Sequence, residues 1–120
     1  MKTPVQLLPA LRQLVHDLAV GMFSELERDG RAGRVTAEEL KRVVRDYGRT
    51  LVDPPEESFA KVEAYEVDEG AEWAIDIDLW TQEEGRSDLT LSVKESWGHV
   101  FFLHDSFALS TIRRIRCRKP

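Results

Sequence analysis

Cysteine is almost missing from this 120-residue chain. Cys117 stands alone, which excludes an internal disulfide framework and any multi-cysteine zinc site. No stretch approaches the roughly 18 uninterrupted apolar residues of a membrane span. The opening Met-Lys-Thr-Pro leads into sequence studded with polar residues, unlike a secretion signal. The expectation is a soluble, cytoplasmic protein without membrane association. Histidine is scarce too: positions 16, 99 and 104 are too scattered for a metal box. Glycine-rich phosphate loops, a dinucleotide fingerprint, a paired His-x-x-x-His and Gly-x-Ser-x-Gly are all absent from the sequence. No cofactor and no metal are expected, and the expectation is that the protein is not an enzyme. The length suits one domain over residues 1–120, burying roughly 65% of its unfolded surface.

What the chain has in excess is charge, and it is segregated. Residues 53–88 carry thirteen acids against Lys61 and Arg86, within a net charge of -5. The flanking segments are both net positive, and Arg113, Arg114, Arg116, Arg118 and Lys119 crowd a basic C-terminal tail over 112–120. Such a middle segment repels nucleic acid and anionic membrane and attracts a basic partner. The tail carries enough charge to touch RNA, but no aromatic residues interleave it. Nucleic acid is therefore not the expected partner; the tail is expected to fray or to lie against the acidic segment.

Leu7, Leu11, Leu14, Val15, Leu18, Met22 and Leu26 recur at helical spacing, which predicts a helix over 9–28 with Pro9 in its first turn. Gly21 is the point where that helix would bend or approach the sheet. Thr36-Ala-Glu-Glu39 is a capping box opening a second helix over 37–47, with Gly48 placed as its left-handed terminator. Asp53-Pro54-Pro55 then forces an extended connection. Strands are predicted at about 60–67, 73–80, 88–95 and 99–104, the last following a turn at Ser96-Trp97-Gly98. The expected fold is α+β: two N-terminal helices packed on one face of a four-stranded antiparallel sheet. Ile112 and Ile115 would continue into a last strand or a short helix.

The strand over 73–80 alternates cleanly, turning Trp73, Ile75, Ile77 and Leu79 one way and Asp76, Asp78 and Trp80 the other. Asp76 and Asp78 would project on one side about 7 Å apart. With Asp88, Glu83 or Glu84 they have the makings of an oxygen-ligand site or an acid/base pair, but no motif accompanies them. Acidic outward positions on a half-exposed sheet are ordinary, so a solvated face is the simplest reading, with an acidic docking surface as its functional alternative. A tryptophan flanked by carboxylates has the form of an interaction anchor. The candidate partner-binding residues are Glu72, Asp76, Asp78, Trp80, Glu83, Glu84 and Asp88. His104-Asp105 could orient an imidazole, though no nucleophile motif goes with it.

The run Leu79-Trp-Thr-Gln-Glu-Glu-Gly-Arg-Ser-Asp-Leu-Thr-Leu91, preceded by Tyr47-Gly48, Pro54-Pro55 and Glu72-Trp-Ala-Ile-Asp76, resembles a family of small bacterial α+β domains of unknown function. The resemblance spans about residues 38–95. Family members tend to end soon after the fourth strand, so the basic tail departs from the pattern, and the family carries no activity or site to transfer. More loosely, the size, acidity and layout are similar to bacterial immunity proteins that neutralise basic nuclease-type toxins. That similarity implies a non-catalytic binder covering a toxin through its acidic sheet face. The alternative is a small-ligand module with a pocket between helices and sheet, near Tyr65, Trp73, Phe102 and His104. An enzyme working through Asp76 and Asp78, or through His104-Asp105, is the third.

Overall fold

Strand alternation and helical stripes assemble into two layers in the computed structural model, which describes residues 8–67, 72–100 and 105–118. Helices α1 (Leu8–Ala19), α2 (Phe23–Arg28) and α3 (Ala37–Tyr47) come first. Strand β1 (Leu51–Val52), helix α4 (Glu56–Ala60) and strand β2 (Glu63–Val67) follow, then β3 (Glu72–Thr81), β4 (Gly85–Val100) and β5 (Asp105–Cys117). The architecture is mixed α+β with an antiparallel sheet. Its path is β1-β3-β4-β5, and β2 pairs along the same edge of β3 as β1, further down the strand. No helix among the described residues is long and apolar enough to cross a membrane.

The single helix expected over 9–28 is two. Gly21 takes φ +85°, a left-handed value that an alanine resists, and α1 ends there before α2 begins at Phe23. Most of the apolar stripe survives the break because both pieces turn it into the core: Leu11, Leu14, Leu18 and Leu26 are all fully buried, whereas Met22 at the break is exposed. The capping box at α3 forms, with the Glu39 amide donating to Thr36 Oγ1 at 3.1 Å, and Gly48 closes the helix at φ +75°. Pro54 and Pro55 do hold the chain extended, yet the short helix α4 starts directly after them and drives Phe59 into the core. The sheet side of that core is Ile75, Ile77, Leu79, Leu89, Leu91, Val93 and Ile112, each at most 3% exposed.

Two corrections concern the C-terminal half. The turn expected at Ser96-Trp97-Gly98 is not there; β4 runs straight through it to Val100, and Trp97 pairs with Ala108. Residues 99–100 thus end the third predicted strand rather than opening a fourth, while 101–104 lie outside the described residues. The basic tail is the edge strand β5, its residues up to Cys117 in register with Leu89. Lys119 lies outside the described residues. A bulge explains why the tail does not look like a strand in sequence. Ser92 pairs with Arg114 but Val93 with Ile112, leaving Arg113 as the extra residue. With that insertion Ile112 and Ile115, three apart, stand opposite the inward residues Val93 and Leu91.

Loop 29–34 ties the layers together. The Arg31 carbonyl accepts from the Ile112 amide at 2.7 Å on the edge of β5. The Arg31 guanidinium lies 2.6 Å from Asp17, which is 5% exposed on α1. Burial works to raise the Asp17 pKa, but hydrogen bonds from Arg31 and Gln13 outweigh it and hold the carboxyl below its usual range.

Candidate binding face

On the side of the sheet away from α1 and α3, alternation presents Asp76, Asp78 and Trp80 of β3 beside Thr90 and Ser92 of β4. Neighbouring β5 adds Arg116 opposite Thr90 and Arg114 opposite Ser92, with Arg118 just beyond the strand. The face therefore runs from a column of acids to a column of bases. Cross-strand hydroxyls hold the acids: Ser92 donates to Asp76 at 2.7 Å and Thr90 to Asp78 at 3.2 Å. Arg118 comes within 3.3 Å of Asp78, and Arg86 within 4.0 Å of its other oxygen. Lys94 reaches Glu72 at 3.9 Å.

A second bulge shapes this face. Asp78 pairs with Thr90 but Trp80 pairs with Arg86, so the three residues 87–89 of β4 stand against Leu79 alone. The Ser87 hydroxyl closes the gap, donating to the Leu79 carbonyl at 2.7 Å and accepting from the Leu89 amide at 3.1 Å. The displacement brings the turn against the half-buried indole of Trp80. A Cβ placed on Gly85, which has φ +78°, would stand 3.5 Å from that ring. On the opposite edge of β3, β1 takes Trp80–Thr81 and β2 takes 72–76, so among the described residues no strand pairs with 77–79 on that edge. Helix α4 packs against β3 there. The result is a groove of about 450 Å³ on the outer face, walled by Glu57, Ser58, Lys61 and Val62 from the α4 side. Its floor is Asp76, Asp78, Trp80 and Thr90, with Arg86, Arg116 and Arg118 along the far side.

Not all seven candidate residues share this surface. Glu72, Asp76, Asp78 and Trp80 do, by alternation along β3. Glu83 and Glu84 sit in the turn at the end of the sheet. Glu83 accepts from the Thr50 amide at 2.8 Å and its hydroxyl at 2.9 Å, and those bonds hold its pKa below the usual range. Glu84 accepts from the Thr81 hydroxyl at 3.2 Å. Asp88 lies in the bulge, its amide bonded to the Tyr47 hydroxyl at 3.0 Å and its carbonyl to the Arg118 amide at 2.8 Å.

Sequence reasoning missed Lys61, Arg86, Arg116 and Arg118 as parts of the site. The signal was available in Arg114-x-Arg116-x-Arg118, the period of two of a strand, which the bulge at Arg113 separates from the residues before it. Tyr65 and Trp73 are on opposite faces: Tyr65 is 55% exposed and pairs with outward Ala74, while Trp73 packs on the core. Phe102 and His104 lie outside the described residues. A second cleft of about 400 Å³ lies between Val43, Asp46 and Tyr47 of α3 and the Arg116–Cys117 end of β5.

No curated protein and no solved structure matches the chain. A family model does, over residues 15–98, which ends inside β4 and leaves β5 beyond the matched region. With more than half of its length matched, the chain belongs to the family described as a domain of unknown function, DUF7668.

Proposed function

We propose that the protein is a non-catalytic binding protein whose docking surface is the outer sheet face around Trp80. Of known roles, that of a bacterial immunity protein against a basic nuclease-type toxin fits it best. The observation that carries this reading is a half-buried indole in the floor of a surface groove, beside Asp76 and Asp78, whose carboxylates are held by cross-strand hydrogen bonds. A rigid aromatic ringed by oriented charges offers buried contact area at small entropic expense, the pattern of an interface hot spot. The alternating columns refine the partner. It must bring basic groups over Asp76 and Glu57 and acidic groups over Arg114 and Arg116, so specificity resides in two-signed complementarity. Net charge -5 still favours a basic partner at long range.

Co-expression with the product of the adjacent reading frame tests the role. Rescue of growth from a toxic neighbour, lost with Trp80→Ala, supports it; an unaffected, non-toxic neighbour refutes it. A small-ligand module is the second reading, and the cleft between α3 and the end of β5 favours it. Tyr47 there offers an aromatic wall and Arg49 and Arg116 offer positive charge. Thermal unfolding against a panel of small anions separates the two readings.

A further inference from the structure

We propose that the protein forms a two-fold dimer in which the Asp105–Ser110 half of β5 pairs antiparallel with the same half of a second copy. Strand β5 ends the path of the sheet, and among the described residues no strand takes its outer edge. Its two halves differ in how that edge is guarded. From Ile112 onward the edge is closed by the Arg31 carbonyl on the Ile112 amide, kinked by the bulge at Arg113, and charged by Arg113, Arg114, Arg116 and Arg118. Those are the devices that keep an edge from pairing with another chain. From Asp105 to Ser110 the sequence is Asp-Ser-Phe-Ala-Leu-Ser, with no lysine, arginine or proline.

This unguarded half is also where the sheet is thinnest. Strand β3 begins at Glu72 opposite Ser96, whereas the β4–β5 ladder continues through Trp97↔Ala108 to Val100↔Asp105. Among the described residues that extension is a two-stranded ribbon, and such ribbons are marginal in water without further strands. A second copy supplies them. Antiparallel pairing of a strand with itself is closed by a two-fold axis, so the contact stops at a dimer. Registers that slide toward the C-terminal half would set Arg113, Arg114, Arg116 and Arg118 of the two copies side by side, and that repulsion favours the register over Asp105–Ser110.

Sedimentation equilibrium of the full chain from about 1 to 200 μM reads the outcome, since a dimer is concentration-dependent. The expected mass approaches twice 13.8 kDa. The double variant Phe107→Lys, Leu109→Lys raises the dissociation constant at least tenfold with an unchanged far-ultraviolet circular dichroism spectrum. If that variant fails to fold, Ser106→Lys gives the same reading. Nitroxides on Ser106→Cys in a Cys117→Ser background lie within about 20 Å of each other across strands spaced about 5 Å apart. A monomer at every concentration, a dimer indifferent to the lysines, or labels more than about 30 Å apart overturns the proposal.

Discussion

Arg118 brings its guanidinium to 3.3 Å from the Asp78 carboxylate, so the C-terminal base and the central acid of the outer face belong to one charge pattern. The relationship changes how the acid-rich middle of the chain is to be read. Residues 53–88 look strongly negative in sequence, but in space Arg116 and Arg118 from the end of the chain join Lys61 and Arg86 around their acids. Both side chains keep partial contact with water, and an exposed pair of this kind contributes at most about 1 kcal/mol. Arg118→Ala is accordingly expected to change urea-unfolding stability by less than about 1 kcal/mol while slowing association with an acidic partner segment. A loss of several kcal/mol would make the contact structural rather than a feature of the docking face.

Stability should fall with rising pH because of Glu95. This residue follows Val93 on the inward side of β4, is fully buried, and has one oxygen on the Ser110 hydroxyl and none of the described residues on the other. Burial pushes its pKa up to about 7, against a smaller opposing effect of the Ser110 hydrogen bond. Below the unfolded value of 4.5 both states are protonated, and no penalty exists. As pH rises from there to about 7, the unfolded state ionises first and stability declines, by roughly 3 kcal/mol at 1.4 kcal/mol per unit. Urea titrations at pH 5 and pH 8 check this; Glu95→Gln should flatten the difference and stabilise the protein at pH 8. Equal wild-type stability at both pH values would contradict it.

Gly33 and Gly30 both have positive φ, yet their substitutions should differ. A Cβ on Gly33 would meet the Ile112 carbonyl oxygen at 2.6 Å, whereas one on Gly30 meets nothing within 4 Å. Gly30→Ala bears only the left-handed strain of about 1 kcal/mol. Gly33→Ala must also push loop 29–34 off β5, adding about 1 to 3 kcal/mol and loosening the bond between the Arg31 carbonyl and the Ile112 amide. Chemical unfolding of the two variants, with amide exchange at Ile112, distinguishes them; equal losses would argue against the close approach.

The layering was legible wherever periodicity was unbroken. The stripe from Leu11 to Leu26 and the alternation from Trp73 to Trp80 named the two sides of the core correctly. The capping box and Gly48 placed α3 because both are local signals with a single geometric meaning. What failed was governed by long-range contact. Strand β4 passes through Ser96-Trp97-Gly98, a turn-like tripeptide, because β5 pairs with it throughout. The tail read as fraying or as lying against the acidic segment, and its strand stayed open against a short helix, because one extra residue, Arg113, breaks its period of two. The acids of the candidate site were visible, and the tail was expected to fray or to lie against them; which base faces which acid depends on the register of β5 on β4.

The residence time of the adjacent gene's product on immobilised protein tests the docking face most directly. Trp80→Ala is expected to raise its dissociation rate at least tenfold, about 1.4 kcal/mol. Arg42→Ala, exposed on α3, should leave that rate unchanged. A dissociation rate indifferent to Trp80 and sensitive to Arg42 would place the partner on the helical side and contradict the account.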